Sequence, residues 1–353
     1  MERAVLKIGM PAGSLASVQR GGNLIDLLAA SGFHTSGYDR GGPTRFTTNN
    51  LLFGWDGRPQ EFGSQLEIGE LDVAIAGDDW IKERALEMKV EYGVDIRLER
   101  VMTLNRGEVQ LVGIVADPSF KTTEDFLRAV APRAPLLTVA SEMPYLALDW
   151  IERKLEAVGL GPAFRARSVQ KYKTPPKIER GLLVYESWGK TESKVKNGAV
   201  DIGLEISQTG GAIKSYGLTI LETVMCSQTS VYINPSTESD PEKRELLEMF
   251  LLNLYGSTHA ENKVMLLFNV PNRLSEPIEH YLSTHNLFGD EPTVNKGKEY
   301  TEYNIQVDAD NPDKPIALVR YSLAKLGARS MNTIPITSSI PGIKVIRRAE
   351  PSP

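Results

Sequence analysis

The sequence has few of the residues that build disulfides and metal centres. Its 353 residues include one cysteine, Cys226, and four histidines. A single cysteine excludes an intrachain disulfide and any zinc site made of several cysteines, which fits a reducing compartment. The histidines are scattered, and none has a partner at the spacing of metal ligands. A metal site built from histidine or cysteine is therefore not expected.

The sequence also lacks an excess of basic residues and any long apolar run. The chain has 40 Lys and Arg against 45 Asp and Glu, a net charge of -5, and a pI near 5.6. This balance argues against nucleic acid as the main partner, because neutralising phosphates needs a clustered basic surface. The first residues are charged, and no apolar run is long enough for a membrane span. We predict a cytoplasmic, soluble protein with no nucleic-acid or membrane partner.

What the sequence does contain is ordinary globular composition arranged as repeated strand and helix signals. Apolar residues make up 41% and charged residues 24%, and the length suggests two or three domains. A Gly-x-apolar-Asp-apolar pattern, in which a helical segment precedes the glycine and a polar turn follows the strand, occurs at residues 69–77 and 198–205. Two copies about 130 residues apart predict two α/β lobes whose strand ends face a shared cleft.

The second copy continues into the most informative stretch, residues 201–214. An apolar run with two acids ends in a small, polar and glycine-rich turn, and a segment that can open a helix follows. A strand entering such a turn leaves several backbone N–H groups aimed at one point, near the positive end of a helix dipole. The stretch therefore predicts a phosphate site, with a plain surface loop as the alternative.

The C-terminal part shows its own succession of elements. The patterns predict strand, helix, strand, strand, helix and strand at residues 263–270, 273–282, 292–295, 302–308, 315–326 and 331–336. This βαββαβ order in a short span is the ferredoxin-like arrangement, common in small regulatory modules. We expect residues 347–353 to be a disordered tail.

These features together resemble the long form of ATP phosphoribosyltransferase, which commits phosphoribosyl pyrophosphate and ATP to histidine biosynthesis. The similarity extends over nearly the whole chain. It rests on the opening strand and turn at residues 6–11, the Arg-x-x-acid-apolar stretch at 58–62 with its strand at 69–77, the segment at 140–146, the Gly-x-x-Glu helix start at 189–194, and the loop at 205–213.

The resemblance implies an α/β fold with a two-lobed, periplasmic-binding-protein-like catalytic core and a C-terminal ferredoxin-like βαββαβ regulatory domain. The lobes would comprise residues 1–116 with 218–238 and residues 117–217, and the regulatory domain residues 239–346. It also implies a glycosyltransferase that uses Mg²⁺, is feedback-regulated by histidine and forms a homo-oligomer, a hexamer in the family.

Site residues follow from the same resemblance, with no metal ligand assigned. Catalytic roles fall to Glu205, Glu192 and Arg58. Binding of phosphoribosyl pyrophosphate falls to Ser207, Gln208, Thr209, Gly210, Gly211 and Ala212, and nucleotide binding to Pro11, Gly13, Ser14, Glu61, Asp78 and Ser141.

The chain departs from the family pattern at cationic and hydroxyl positions. Ala212 replaces the second threonine of the loop, Ala12 and Gly13 stand where the family has a basic turn, and Gln110 replaces an arginine. Charge-assisted phosphate contacts are strong, so these losses keep two alternatives open. One is a paralogue that uses another base, and the other is a non-catalytic two-lobed sensor. Basic residues in segments that could face the cleft are Arg40, Arg45, Arg58, Lys171, Lys173, Lys190, Lys194 and Lys196.

Overall fold

A computed structural model describes residues 3–16, 23–38, 43–287 and 293–346. Arg40 and the predicted tail at 347–353 lie outside these ranges. The chain forms two compact units, Met1–Asp26 with Phe33–Leu247, and Leu27–Gly32 with Glu248–Pro353. No helix in the described ranges is long and apolar enough to span a membrane.

Strands and helices alternate along the first 260 residues. The strands are β1 (Leu6–Pro11), β2 (Thr35–Ser36), β3 (Arg45–Phe46), β4 (Leu52–Gly57), β5 (Val73–Gly77), β6 (Glu99–Thr103), β7 (Val109–Val115), β8 (Leu136–Ser141), β9 (Arg167–Lys171), β10 (Gly181–Glu186), β11 (Ile202–Ser207), β12 (Thr219–Ser227) and β13 (Thr229–Ile233). The helices are α1 (Leu24–Ala30), α2 (Pro59–Glu67), α3 (Asp78–Tyr92), α4 (Thr123–Val130), α5 (Pro144–Ala157), α6 (Thr191–Lys196), α7 (Gly211–Ser215) and α8 (Pro241–Ala260).

The first unit contains two large sheets, each the centre of one lobe. The first has the order β4-β1-β5-β13-β6, with β1, β4 and β5 parallel and β13 antiparallel to its neighbours. The second has the order β12-β7-β11-β8-β10-β9. β1, β5 and β13 are almost entirely buried, as expected of strands in the middle of a covered sheet. Trp150 on α5 is 1% exposed in the core of the second lobe.

The bounds predicted for the lobes need a correction. β7 and β12 lie within the ranges assigned to the first lobe, yet both pair in the second sheet, β7 with β11 and β12 with β7. The chain therefore changes sheet before β7 and after β12. The local sequence could not show this, because the residues of an apolar strand do not indicate the strands with which it pairs.

The second unit contains a four-stranded antiparallel sheet. Its elements are β14 (Lys263–Pro271), α9 (Ser275–Thr284), β15 (Thr293–Lys296), β16 (Tyr300–Asp308), α10 (Ile316–Lys325) and β17 (Arg329–Pro335). The sheet order β15-β16-β14-β17 places the first strand between the third and the fourth, which is the ferredoxin-like order. Leu266, Phe268 and Val270 alternate into the core between β14 and the helices. The predicted α/β fold class is confirmed.

Candidate functional site

A cleft of about 540 Å³ lies between the two lobes of the first unit. Segments at the carboxyl ends of β1, β4, β5, β8 and β11 supply most of its walls, as is usual for ligand sites in α/β sheets. The first lobe contributes Ala12, Gly13, Leu15, Arg58, Pro59, Gln60, Gly77, Asp79 and Trp80, the second lobe contributes Val109, Glu142, Ile206 and Gln208, and the crossing segments contribute Gly107, Ser227 and Thr229.

The two crossing segments are tied to each other at the base of the cleft. The Leu104 N–H donates to the Thr229 carbonyl at 2.9 Å, and the Thr229 N–H donates to the Arg106 carbonyl at 2.8 Å. Gly107 has φ 61°, and a Cβ there would lie 3.0 Å from both Thr229 Oγ1 and Leu15 Cδ2. Glycine at this position therefore permits the backbone turn and keeps the space in front of Thr229 open.

On the first-lobe wall, Asp79 lines the cleft and its neighbour Asp78 does not. Asp79 is 4% exposed, its N–H donates to Ser227 Oγ at 3.0 Å, and its Oδ1 accepts from the Trp80 N–H at 2.8 Å. Burial raises the pKa of the Asp79 carboxyl. The Asp78 carboxylate instead accepts from the Tyr232 hydroxyl at 2.7 Å and pairs with Arg100 at 3.2 Å. The geometry favours Asp79 over the predicted Asp78 as a ligand contact.

Of the other nucleotide contacts predicted in this lobe, some line the cleft and others do not. Gly13 lines the cleft, as does Arg58 at the N-cap of α2. The Pro11 carbonyl accepts from the Tyr38 hydroxyl at 2.7 Å, and Glu61 is exposed in the first turn of α2. Neither is among the cleft-lining residues. Ser14 belongs to a single 3₁₀ turn at residues 13–15.

In the second lobe, the predicted phosphate loop begins where β11 ends. Ser207 Oγ accepts from the Gly210 N–H at 2.8 Å, which closes the turn, and Gly210 adopts φ 70°. Gln208 lines the cleft, whereas Thr209, Gly211 and Ala212 are not among its lining residues. Ile206 lines the cleft beside Gln208. The loop is therefore anchored at the cleft by its first half.

Ser141 is buried, and its Oγ accepts from the Met143 N–H at 2.9 Å. This bond shapes the turn between β8 and α5 and leaves the next residue, Glu142, at the cleft. Ser141 thus supports the wall without lining it.

The charges of three carboxylates act on one ammonium group next to this loop. Burial, with the charges of Glu192 and Glu142, raises the pKa of Glu205 to about 7. The Lys194 ammonium donates to the Gly189 carbonyl at 2.6 Å and lies 4.9 Å from the centre of the Tyr172 ring. Burial lowers the pKa of Lys194, and the three glutamates oppose this change.

The carboxylate cluster, defined as Glu142, Glu192 and Glu205, brings the two predicted catalytic glutamates together. Arg58, the third predicted catalytic residue, lies on the opposite lobe at the same cleft. Of the cluster, Glu142 lines the cleft, whereas Glu192 and Glu205 are not among its lining residues. A carboxyl group that titrates near neutrality next to a cleft is a candidate for chemistry.

Sequence reasoning missed Gln60, Glu142 and Thr229. It weighed Asp78 and Asp79 together, for the cleft mouth or as a helix cap, favoured the cap, and assigned nucleotide binding to Asp78. Asp79 had a signal, since it belongs to the acidic pair that follows β5. Glu142 had one too, because it follows β8. Gln60 and Thr229 had no such signal in the sequence. What distinguishes them is a buried side-chain oxygen without a hydrogen-bond partner, which residue type does not indicate.

Within the described ranges, no group of three or more His, Cys, Asp or Glu is placed to hold a metal ion. This does not conflict with magnesium carried by a substrate, since Mg²⁺ usually takes one or two protein carboxylates together with substrate phosphates.

Comparison with known proteins places these features in one family. The family model described as ATP phosphoribosyltransferase matches residues 58–256, more than half of the chain. The chain is 28% identical over 309 residues to ATP phosphoribosyltransferase of Nitratidesulfovibrio vulgaris, covering 88% of this chain and 90% of that protein. It is 28% identical over 340 residues to ATP phosphoribosyltransferase of Geotalea daltonii, covering 95% and 99%.

A solved structure is also similar, the ATP phosphoribosyl transferase (HisG:HisZ) complex from Thermotoga maritima. The identity is 15%, the TM-score is 0.48, and the match covers 71% of this chain and 98% of that chain. The assignment rests on the family model, whose match begins at Arg58 and includes the loop at 205–213. The resemblance seen in the motifs is confirmed, and the chain belongs to the ATP phosphoribosyltransferase family.

Proposed function

We propose that the chain transfers the phosphoribosyl group of phosphoribosyl pyrophosphate to ATP and releases pyrophosphate, the first step of histidine biosynthesis. The observation that carries the proposal is the position of Glu205. It lies on β11 just before the glycine-rich turn of the cleft, inside the segment matched by the family model. A carboxylate and a phosphate-binding turn in sequence are what a phosphoribosyl substrate requires.

The transfer breaks the bond between the anomeric carbon and the pyrophosphate oxygen and forms a bond from that carbon to a base nitrogen. Positive charge develops on the sugar and negative charge on the leaving group. We assign Glu205, with Glu192 beside it, to the ribose and its developing positive charge, and Arg58 to the phosphate oxygens. The loop from Ser207 to Ala212 would hold the phosphoribosyl end of the substrate.

Magnesium would arrive with the phosphates. When bound, it offsets negative charge on the leaving pyrophosphate. Glu142 lines the cleft and would supply one carboxylate to a substrate-borne ion. The protein residues orient the substrate and position the carboxylates.

For the nucleotide, we propose Gly13 and Asp79 on the first-lobe wall. The predicted contacts at Pro11, Ser14, Glu61, Asp78 and Ser141 stay predictions, and the cleft geometry supports Gly13 best among the six.

A paralogue that uses another base is the second candidate. Arg58 is the one cation among the described residues that line the cleft, against Asp79 and Glu142. This charge balance suits an acceptor with fewer phosphates than ATP.

Pyrophosphate release tests the proposal. Purified protein with phosphoribosyl pyrophosphate, ATP and Mg²⁺ should release pyrophosphate, and Glu205→Gln should lose most of the rate. Glu186→Gln is a matched control, because Glu186 also lies on a strand of the second sheet and pairs with Lys171 at 3.7 Å. No turnover, together with no thermal shift from phosphoribosyl pyrophosphate, would refute the proposal. Turnover with a different base would favour the paralogue.

We further propose that histidine acts through the second unit, that the active form is a homo-oligomer, and that the protein is cytoplasmic. The ferredoxin-like order supports the first two, and the single cysteine supports the third. Saturating histidine should raise the melting temperature by mass action. An unchanged melting temperature and rate would exclude histidine as the effector.

A further inference from the structure

A second cavity, of about 280 Å³, lies behind the wall of the cleft. Residues of α3, of β6 and the segment before it, and of β12 and β13 line it. We call it the rear pocket and define it by Ile81, Lys82, Ala85, Arg100, Cys226 and Tyr232. No described residue lines both the rear pocket and the cleft.

The two cavities share a wall made of neighbouring residues. At the start of α3, Asp79 lines the cleft and Asp78 lines the rear pocket. At the end of β12, Ser227 lines the cleft and Cys226 lines the rear pocket, because successive residues of a strand point to opposite faces. The Asp79 N–H donates to Ser227 Oγ at 3.0 Å and joins the two halves of the wall. The rear pocket is therefore a separate space and not an extension of the cleft.

The charged residues of the rear pocket leave one positive charge in excess. Lys82 and Arg100 line it against a single acid, Asp78. Both oxygens of the Asp78 carboxylate are engaged, Oδ1 by the Tyr232 hydroxyl at 2.7 Å and Oδ2 by Arg100 Nη1 at 3.2 Å. Lys82 is exposed and forms no ion pair with a described residue. The guanidinium of Arg100 has further N–H donors in its planar fork, so the two cations together suit one carboxylate.

Apolar side chains supply most of the remaining lining. They are Ile81, Ala85, Ile96, Leu98 and Met225. The volume of 280 Å³ is just below the usual range of ligand pockets, about 300–1,000 Å³, which suits a molecule of roughly ten non-hydrogen atoms. Size, charge and lining together select a small molecule with an apolar body and one negative charge.

We propose that the rear pocket is a second ligand site, which binds a small monocarboxylate with an apolar body. The carboxylate lies beside Lys82 and Arg100, and the body packs against Ile81, Ala85 and Met225. α3 and β6 belong to the first lobe and β12 to the second sheet, so the ligand contacts both lobes. This site is additional to the substrate cleft and does not depend on the proposed function.

Cys226 makes occupancy of the rear pocket measurable, because it is the single cysteine of the chain and lines this cavity. The full chain is treated with neutral iodoacetamide, and mass spectrometry gives the alkylation rate with and without 3-phenylpropionate. Saturating 3-phenylpropionate should slow alkylation several-fold, and the concentration dependence gives its Kd. The neutral isostere 3-phenylpropanamide should bind about 10-fold more weakly, the effect of losing one charge-assisted contact. The cation 3-phenylpropylamine should give no protection.

Two variants test the charge and the space separately. Lys82→Met keeps an apolar stem and removes the charge, so affinity for 3-phenylpropionate should fall about 10-fold while affinity for the amide stays unchanged. Ala85→Leu puts a larger side chain into the rear pocket and should abolish protection by both compounds. Lys89→Met is the matched control, because Lys89 lies on the same helix, pairs with Asp95 at 3.3 Å and does not line the rear pocket. The melting temperature of each variant shows that it is folded.

Absence of protection by 3-phenylpropionate in wild type would overturn the proposal. Equal affinities for the carboxylate and the amide would overturn it as well, since the pocket would then not select a negative charge. The same holds if Lys82→Met binds the carboxylate as tightly as Lys89→Met does, or if folded Ala85→Leu is still protected, because the ligand would then lie elsewhere.

Discussion

Glu83 joins the two lobes through a buried carboxyl group. It lies on α3 of the first lobe, is 6% exposed, and accepts from the N–H groups of Tyr145 at 2.9 Å and Leu146 at 2.7 Å. Those N–H groups belong to the first turn of α5 in the second lobe, where a helix lacks internal acceptors. The N-cap residue of α5, Met143, makes no side-chain cap bond. Glu83 therefore caps a helix of the opposite lobe.

The protonation of this group should make stability fall as pH rises. Burial raises the pKa of Glu83 from 4.5 to about 8, although the two N–H donors oppose the change. Between these values the folded state binds the proton and the unfolded state does not. The free energy of unfolding then decreases by up to about 1.4 kcal/mol for each pH unit in this window.

Glu83→Gln removes the titration while keeping a carbonyl oxygen that accepts an N–H. The unfolding free energy of the variant relative to wild type should increase by about 2–3 kcal/mol from pH 6 to pH 8.5. Urea unfolding followed by tryptophan fluorescence measures it, and this range stays above the pI of 5.6. Glu245→Gln, at an exposed position of α8, corrects for the loss of one acidic residue. If the free energies of unfolding of Glu83→Gln and wild type change in parallel with pH, the reasoning is refuted. If the variant loses stability relative to wild type as pH rises, the α5 N–H groups keep Glu83 ionised.

Three further outcomes follow from the site and the core. Because the pKa of Glu205 is raised to about 7, log kcat/KM should fall below that pH with unit slope, and the slope should vanish in Glu205→Gln. Lys194→Met should shift the pH at which log kcat/KM begins to fall to a higher value, because it removes a positive charge near Glu205. Lys196→Met should leave that pH unchanged, and pH–rate profiles of the two variants measure the difference. In Gly113→Ala, the new Cβ would overlap the Trp150 ring, so urea unfolding should show a loss of about 1–3 kcal/mol, partly recovered in the double variant with Trp150→Phe.

The fold could be predicted from sequence to the extent that each element carries its own pattern. β14 and β16 alternate buried and partly exposed residues along their length, and Gly327 marks the end of α10. The lobe bounds could not be predicted, since β7 pairs antiparallel with both β11 and β12, and a strand's own residues do not encode such partners.

The same distinction applies within the site. Glu205 and the turn after it follow from a local pattern, which is why sequence alone indicates them. Asp78 and Asp79 are adjacent at the start of α3, and successive helix residues point about 100° apart. One therefore bonds to Tyr232 and the other faces the cleft, and only coordinates show which.

The charge balance of the cleft limits what can select the nucleotide. With Arg58 as the one cation among the described lining residues, charge-assisted contacts to phosphate can contribute less to affinity than in a cleft with several cations. A substrate-borne magnesium ion offsets part of the phosphate charge, but it binds any nucleoside triphosphate alike and cannot choose the base. Selection then depends on neutral contacts in a dry part of the cleft, where an unmet hydrogen bond is costly. This chain should therefore discriminate among nucleotides more by neutral contacts to the base than by the number of phosphates.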